Sequence, residues 1–358
     1  MDAAFVGLPL SGKTATFQAL TAGRGSAVDS RGENIGVVKL ADERLARLAV
    51  MVSAKKVTPL DFRLHDLPPL FQKGGPGAEA YESLTRSDVL IHVIRGFERD
   101  DLPHPKGSVD PMRDLQEFEG ELLLGDLGII ERRLEKLDMT VRSAKPSERE
   151  KGEREQKLLL SLKEHLDEGR RLSDEVTEEQ ELKALAGFGL LSLKPTLILI
   201  NVGEAQLEEA EKIEAEWTER VGSASVGVAV LCSKLEAELA ELPPEEAQEF
   251  RTEMGAGDGM VRRALEGASD LLGQVTFFTI GEQEARAWTV QRGAAALQAA
   301  GRIHTDIERG FIRAEVIGWD ELLEFGSHVE ARKKGKLRTE GKVYVVQEGD
   351  VINVLFNV

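Results

Sequence analysis

The stretch Gly7-Leu8-Pro9-Leu10-Ser11-Gly12-Lys13-Thr14 restricts the architecture of this chain more than any other. Glycines at Gly7 and Gly12 let successive backbone N–H groups turn inward toward phosphate oxygens, where a β-carbon would stand in the way. Lys13 is then placed to reach the β- and γ-phosphates of a nucleotide as a mobile cation, and Thr14 to offer its hydroxyl to Mg²⁺. Such a loop belongs between a strand and a helix, whose N-terminal N–H groups and dipole favour a bound anion. The context fits: Ala3-Ala4-Phe5-Val6 is a short apolar run, and residues 14–20, with Thr16 among them, contain no helix breaker. The expectation is a P-loop protein with Gly7, Leu8, Pro9, Leu10, Ser11, Gly12, Lys13, Thr14 and Thr16 around the phosphates.

Further strands are expected over residues 35–40, 60–64, 89–94, 196–200 and 226–231. Several are continuous apolar runs, the signature of strands covered on both faces, and helical stretches separate many of them. This is the pattern of a doubly wound α/β sheet. Residues 113–191 break it: Leu115, Phe118, Leu122, Leu127, Ile130, Leu134, Leu137 and Val141 recur mostly at spacings of three to five, with dense charge between them. Leu159, Leu162, Leu166 and Leu172 form a second such run, so an antiparallel helical hairpin with a coiled-coil-like seam is predicted as an insertion. After residue 274 short strands and glycine-punctuated helices point to a small α+β domain with a mixed sheet. The domain reading is therefore 1–112 with 192–274, the insertion 113–191, and 275–358.

A phosphate loop of this class needs a carboxylate at the end of a neighbouring strand to hold the Mg²⁺ shell, and Asp66 is the best placed. The run that follows, Asp66-Leu67-Pro68-Pro69, carries proline where an Asp-x-x-Gly motif has its γ-phosphate-binding glycine, and proline has no N–H to donate. The usual guanine-reading run is Asn-Lys-x-Asp, whereas this chain has Asn201-Val202-Gly203-Glu204. Loss of the lysine and the longer carboxylate remove guanine's advantage and leave adenine and guanine both open.

Composition sets outer limits. The chain has 358 residues, 41% of them hydrophobic and 30% charged, and no apolar run long enough to span a bilayer. The start Met1-Asp2-Ala3-Ala4-Phe5 lacks the basic and apolar regions of a signal peptide, and the single cysteine, Cys232, admits no internal disulfide. A cytoplasmic protein without a membrane partner is expected. The net charge of −17 argues against indiscriminate binding to nucleic acid, DNA included, although Arg332, Lys333, Lys334, Lys336 and Arg338 form a local basic patch that could contact RNA.

Taken with Phe17-Gln18-Ala19-Leu20, Leu193-Lys194-Pro195-Thr196 and Cys232-Ser233-Lys234, these runs resemble the YchF / Obg-like ATPase family, in the Obg branch of P-loop NTPases. The most specific stretches lie near the end: Glu284-Ala285-Arg286-Ala287-Trp288-Thr289, Gln298-Ala299-Ala300-Gly301-Arg302-Ile303-His304-Thr305-Asp306, Gly310-Phe311-Ile312-Arg313-Ala314 and the final run from Gly349. They resemble the family's C-terminal TGS domain. The resemblance covers nearly the whole chain. It implies a nucleotide domain, a coiled-coil insertion and a β-grasp-like TGS domain, together with bound ATP (ADP after turnover), Mg²⁺, slow hydrolysis and association with ribosomes or RNA. By the same resemblance, Asn201, Val202, Glu204, Ser233 and Lys234 fall at the base, Leu70 stands at the water-positioning glutamine, and His104 joins Lys13 as a catalytic residue. Departures cluster at the γ-phosphate: Leu10 stands where the family has asparagine, and Pro69 replaces the motif glycine. Residues 23–34 offer only Ser26 and Ser30 as hydroxyls, with no counterpart of the switch threonine, and residues 73–77 are a contracted glycine-rich stretch. A slow ATPase, a nucleotide-binding scaffold without significant hydrolysis and a GTPase are the three readings compatible with these residues.

Overall fold

A computed structural model describes residues 1–23, 33–68, 78–141, 145–254, 256 and 259–357. Pro69, Leu70, Ser26, Ser30 and residues 73–77, on which the altered-switch reading rests, lie outside them. The strands are β1 (Asp2–Val6), β2 (Asn34–Leu40), β3 (Val57–Thr58), β4 (Leu60–Asp66), β5 (Val89–Arg95), β6 (Thr196–Asn201), β7 (Val226–Leu231), β8 (Gln274–Ile280), β9 (Ala285–Gln291), β10 (Phe311–Gly318), β11 (Arg338–Glu340) and β12 (Asp350–Phe356). The chain divides into two compact units, one of Met1–Val37 with Arg63–Leu271, the other of Val38–Phe62 with Leu272–Val358.

The first unit is built on a sheet of order β2-β4-β1-β5-β6-β7. Strand β1 lies between β4 and β5 and runs parallel to both, and β6 and β7 continue in the same sense. Every residue of β5 and β6 is buried, which is why these strands read as unbroken apolar runs. Because these strands run the same way, their carboxyl ends come together at one edge. That edge gathers the phosphate loop after β1, Asp66 at the end of β4, the segment after β5, Asn201 at the end of β6 and Cys232-Ser233-Lys234 after β7.

Helices α1 (Lys13–Thr21), α2 (Glu43–Met51), α3 (Ala78–Arg86), α4 (Pro111–Val141) and α5 (Pro146–Asp167) precede β6. Helix α4 serves two cores in succession. Phe118 and Leu122 pack with Ala4, Val6 and Leu90 of the sheet, whereas Ile130 and Leu137 pack with Leu159, Leu162 and Leu166 of α5. The pairs Glu131–Lys163, Arg133–Glu155 and Asp138–Gln156 bridge α4 and α5 in opposite senses, so the two helices are antiparallel. At the changeover, the buried Asp126 carboxylate accepts from Leu191 N (2.9 Å), Ser192 N (2.7 Å) and Ser192 Oγ (2.6 Å), fixing α4 to the chain that enters β6.

The second unit has a mixed sheet of order β11-β10-β12-β8-β9-β3. Strands β12 and β8 are parallel at its centre, β10 is antiparallel to β11 and β12, and β9 is antiparallel to β8. One core holds Val275, Phe277, Ala299 and Val316; the other holds Phe278, Ala287, Val351 and, from α2, Leu45, Leu48 and Ala49. The sequence reading placed Val38–Phe62 with the nucleotide domain, but this stretch clusters here. The physical reason is that α2 is amphipathic and capped by Asp42, which says that one face is buried without saying against which sheet. Strand β3 then extends the same sheet by pairing in parallel with β9.

His92 is a core residue, as its place within a strand suggests. It is 2% exposed, and its ring lies 4.0 Å from that of Phe118. Burial, reinforced by the charges of Arg171 and Lys13, pushes its pKa down to about 3. The unfolded chain binds this proton below about pH 6.5, while the folded chain refuses it until about pH 3, so acid favours unfolding across that window. Lowering the pH from 7 to 5 is expected to remove about 2 kcal/mol of stability through this group. Urea unfolding at both pH values checks it: His92→Leu should lose that share of the pH dependence, and an unchanged dependence would assign it elsewhere.

Candidate nucleotide-binding site

The phosphate loop is shaped by its two glycines. Gly7 has φ 142° and Gly12 φ 95°, both in the region that side chains disfavour. A β-carbon on Gly7 would come within 2.4 Å of Val93 O, and one on Gly12 within 2.2 Å of Asn201 Nδ2. Leu10 also has a positive φ, 64°, although it carries a side chain, and it is half exposed. Asparagine tolerates that conformation better than leucine, so Leu10 adds local strain on the order of 1 kcal/mol.

Lys13 folds into the loop that precedes it. Its Nζ donates to Gly7 O at 2.9 Å and Leu8 O at 3.4 Å, and burial lowers its pKa against the opposing pull of Asp66. Thr14 Oγ1 donates to Asp66 Oδ2 at 3.0 Å, and Asn34 Nδ2 donates to the same oxygen at 3.2 Å. The Asp66 carboxylate is 5% exposed. Thr14 and Asp66 thus converge as an all-oxygen donor set, the hard ligand chemistry that Mg²⁺ prefers, so the residues present fit that ion.

Asn201 joins three segments and also lines the cavity beside them. Its Nδ2 donates to Ser11 O at 3.0 Å, and its Oδ1 accepts from Ser233 N at 3.1 Å. Thr16 Oγ1 donates to Gly12 O at 3.0 Å and therefore accepts, at 2.7 Å, from the Ser233 hydroxyl. Beside this junction lies a cavity of about 690 Å³ whose walls include Gly12, Phe97, Val202, Gly203, Glu204, Cys232 and Lys234. Within it Lys234 Nζ holds Glu204 Oε1 at 2.9 Å, which raises the pKa of the lysine through that hydrogen bond.

Two contributors were not singled out from sequence. Arg95, 2% exposed at the end of β5, donates from Nε to Phe97 O (3.1 Å) and from Nη2 to Leu102 O (2.6 Å), and its guanidinium lies over the Phe97 ring, so it shapes the cavity wall. A charged residue closing an apolar strand was the available signal. Asn34 is the other, and only the fold brings it to Asp66. His104 sits elsewhere in the loop before α4: Nε2 contacts Asp114 Oδ2 at 2.9 Å, and Nδ1 accepts from Lys106 N at 3.1 Å. Both ring nitrogens are engaged, which fixes the proton on Nε2, and Arg113 secures Asp114 from the other side at 2.7 Å.

This fold and site define a P-loop NTPase. Residues 274–357 match the family model YchF-GTPase_C, described as "Protein of unknown function (DUF933)". The chain is 38% identical to "Ribosome-binding ATPase YchF" of Bacillus subtilis, with 100% of each covered, and 36% identical to the Haemophilus influenzae protein of that name, covering 99% of this chain and 98% of the relative. The solved "Structure of the Schizosaccharomyces pombe YchF GTPase" superposes with a TM-score of 0.83 at 26% identity, over 99% of this chain and 97% of that one. The chain belongs to the YchF family.

Gly12→Ala is expected to abolish nucleotide binding, because the new methyl must displace the Asn201 amide while the backbone holds φ 95°. In thermal unfolding, the unaltered chain should gain about 2.7 kcal/mol from a nucleotide present at a hundred times its Kd, and the variant nothing. A normal ligand-induced shift in the variant would show that the loop does not depend on this contact.

Proposed function

We propose that the chain is a Mg²⁺-dependent, slow ATPase that acts in the cytoplasm as a ribosome-associated factor. Full-length similarity to proteins named ribosome-binding ATPases supports this reading, and among the described residues no helix is long and apolar enough to cross a membrane. The observation that carries the base preference is the Glu204–Lys234 pair. Guanine is read by a carboxylate free to accept from its N1–H and N2–H, and here the carboxylate is already held by an ammonium. Adenine asks for no such acceptor.

In this reading Lys13 and the N-terminal end of α1 bind the β- and γ-phosphates, while Thr14 and Asp66 hold Mg²⁺, which neutralises charge on the phosphate oxygens. Gly7, Leu8, Pro9, Leu10, Ser11 and Gly12 line the phosphates with backbone N–H groups, proline excepted, and Thr16 and Ser233 brace the loop. Orientation of the attacking water by His104 requires a free ring nitrogen. Its engagement by Asp114 and Lys106 is consistent with slow turnover. The antiparallel pair α4 and α5 is read as a coiled-coil insertion and the mixed-sheet unit as a TGS domain. The C-terminal basic patch is a weak candidate for RNA contact, because Arg332, Lys333, Lys336 and Arg338 are paired with Glu315, Glu330, Glu321 and Asp350.

Calorimetry against ATP, ADP, GTP and GDP with Mg²⁺, followed by phosphate release, tests the proposal. ATP and ADP should bind at least about tenfold more tightly than the guanine nucleotides, equivalent to about 1.4 kcal/mol, with slow phosphate release that disappears in Lys13→Ala. Tight binding without release would establish the scaffold reading, and GTP outcompeting ATP would establish a GTPase. A separate variant probes the base pocket: Lys234→Met frees Glu204 and should shift the GTP:ATP affinity ratio toward GTP about fivefold, near 1 kcal/mol. An unchanged ratio would remove the pair from base selection.

A further inference from the structure

A second cavity, of about 400 Å³, lies on the helical insertion and is lined by Ile129, Arg132, Arg133, Lys136, Gly187 and Phe188. Arg132 and Lys136 are one helical turn apart on α4, so their side chains share a face. Gly128, a turn earlier, has no side chain, and a β-carbon there would lie 3.5 Å from Arg132 Nη1; the guanidinium rests over that gap. Gly187 likewise leaves the cavity open, and the half-buried Phe188 ring packs at the edge of the α4–α5 core.

The charges of this cavity differ from those around it. Arg133 is bound by Glu155 at 2.6 and 3.0 Å, Lys163 by Glu131 and Asp167, and Arg171 by Glu119. Among the described residues, no ion pair or hydrogen bond of the Arg132 or Lys136 side chain is present. In a chain of net charge −17, two neighbouring cations without a carboxylate partner, opening on a cavity edged by an aromatic ring, make a local site for an anion that also carries a flat apolar part. The volume suits one nucleotide unit.

We propose that this cavity binds a single-stranded RNA segment, with a phosphodiester on Arg132 and Lys136 and the attached base against Phe188. The proposal rests on the ribosome-associated reading and gives it a contact surface outside both the nucleotide pocket and the C-terminal basic patch. It also fits an economy of charge: among the described residues, four of the five cations of the C-terminal patch, all but Lys334, are paired within their own unit, whereas neither Arg132 nor Lys136 has such a pair.

The test uses the full chain and a fluorescein-labelled ten-nucleotide oligouridylate, read by anisotropy across a salt series, with ribosome pelleting alongside. Arg132→Glu/Lys136→Glu should weaken RNA binding at least about tenfold. Neutral Arg132→Gln/Lys136→Gln should weaken it less and flatten the salt dependence by about 0.7 in log–log slope, the loss of one neutralised phosphate on a single strand. Phe188→Leu, which retains core packing, should weaken binding about fivefold with the slope unchanged. Each variant must keep the far-ultraviolet circular dichroism and ATP affinity of the parent, and the Gln pair serves if the Glu pair misfolds. Binding of RNA equal to the parent's in both pairs overturns the proposal. So does loss, in the Gln pair, of ADP binding to a Lys13→Ala chain with RNA binding intact, which would assign the cavity to free nucleotides. If the parent fails to pellet with ribosomes, the ribosome-associated reading fails on its own. If parent and variants pellet alike and RNA binding is unchanged, only the placement of the site fails.

Discussion

The side-chain amide of Asn201 is the contact on which the rest of the site depends. It sits at the end of a fully buried strand and donates to the phosphate loop at Ser11, while it accepts from the turn after β7 at Ser233. The backbone carbonyl of the same residue accepts from Gly96 N at 2.8 Å, which draws in the segment after β5. One residue therefore sets the relative positions of the phosphate loop and two walls of the adjoining cavity. Gly12 lacks a β-carbon at the one place where such an atom would collide with it. A hydrogen bond of this kind is modest in net free energy, but leaving both of its buried partners unpaired costs more than the bond contributes. Loop shape and cavity shape are consequently coupled.

A second theme is the disposal of charge in an acidic chain. Lys13 is drawn into its own loop, Asp66 is shared by Thr14 and Asn34, and Glu204 is held by Lys234. Each of these charges has a protein partner that a ligand or ion must replace or adjust. On the surface of the second unit the basic cluster is largely neutralised by its own glutamates and Asp350. Sequence proximity of cations overstates their availability, because carboxylates arrive from distant positions.

Much was legible in the sequence for definite reasons. The loop from Gly7 to Thr14 follows from local chemistry, since backbone freedom and a cation must sit at fixed spacing. The strands read as apolar runs because both faces of the sheet are covered, and the leucine spacing of α4 and α5 gives two amphipathic helices whichever way they pack. Asp66 was found by the need for a carboxylate beside the loop, and it does meet Thr14. The partners of these groups were not legible. Asn201, placed at the base by the resemblance, also holds Ser11 and Ser233 through both side-chain atoms, and His104, placed among the catalytic residues in the same way, has both ring nitrogens engaged.

What the sequence determined by itself is the kind of anion this protein is built around and the elements that present it, because those depend on residues close together along the chain. The tertiary structure alone decided which sheet receives Val38–Phe62, that Asn34 reaches Asp66, and that Lys234 occupies the carboxylate of Glu204. These are contacts between residues about 30 positions apart or more, closed by the parallel crossing of strands. Local pattern fixes that a face is buried or a group is charged, but not what it meets. The phosphate loop was thus set by its own eight residues, Gly7 to Thr14, and the partners its side chains meet by the strands that surround it.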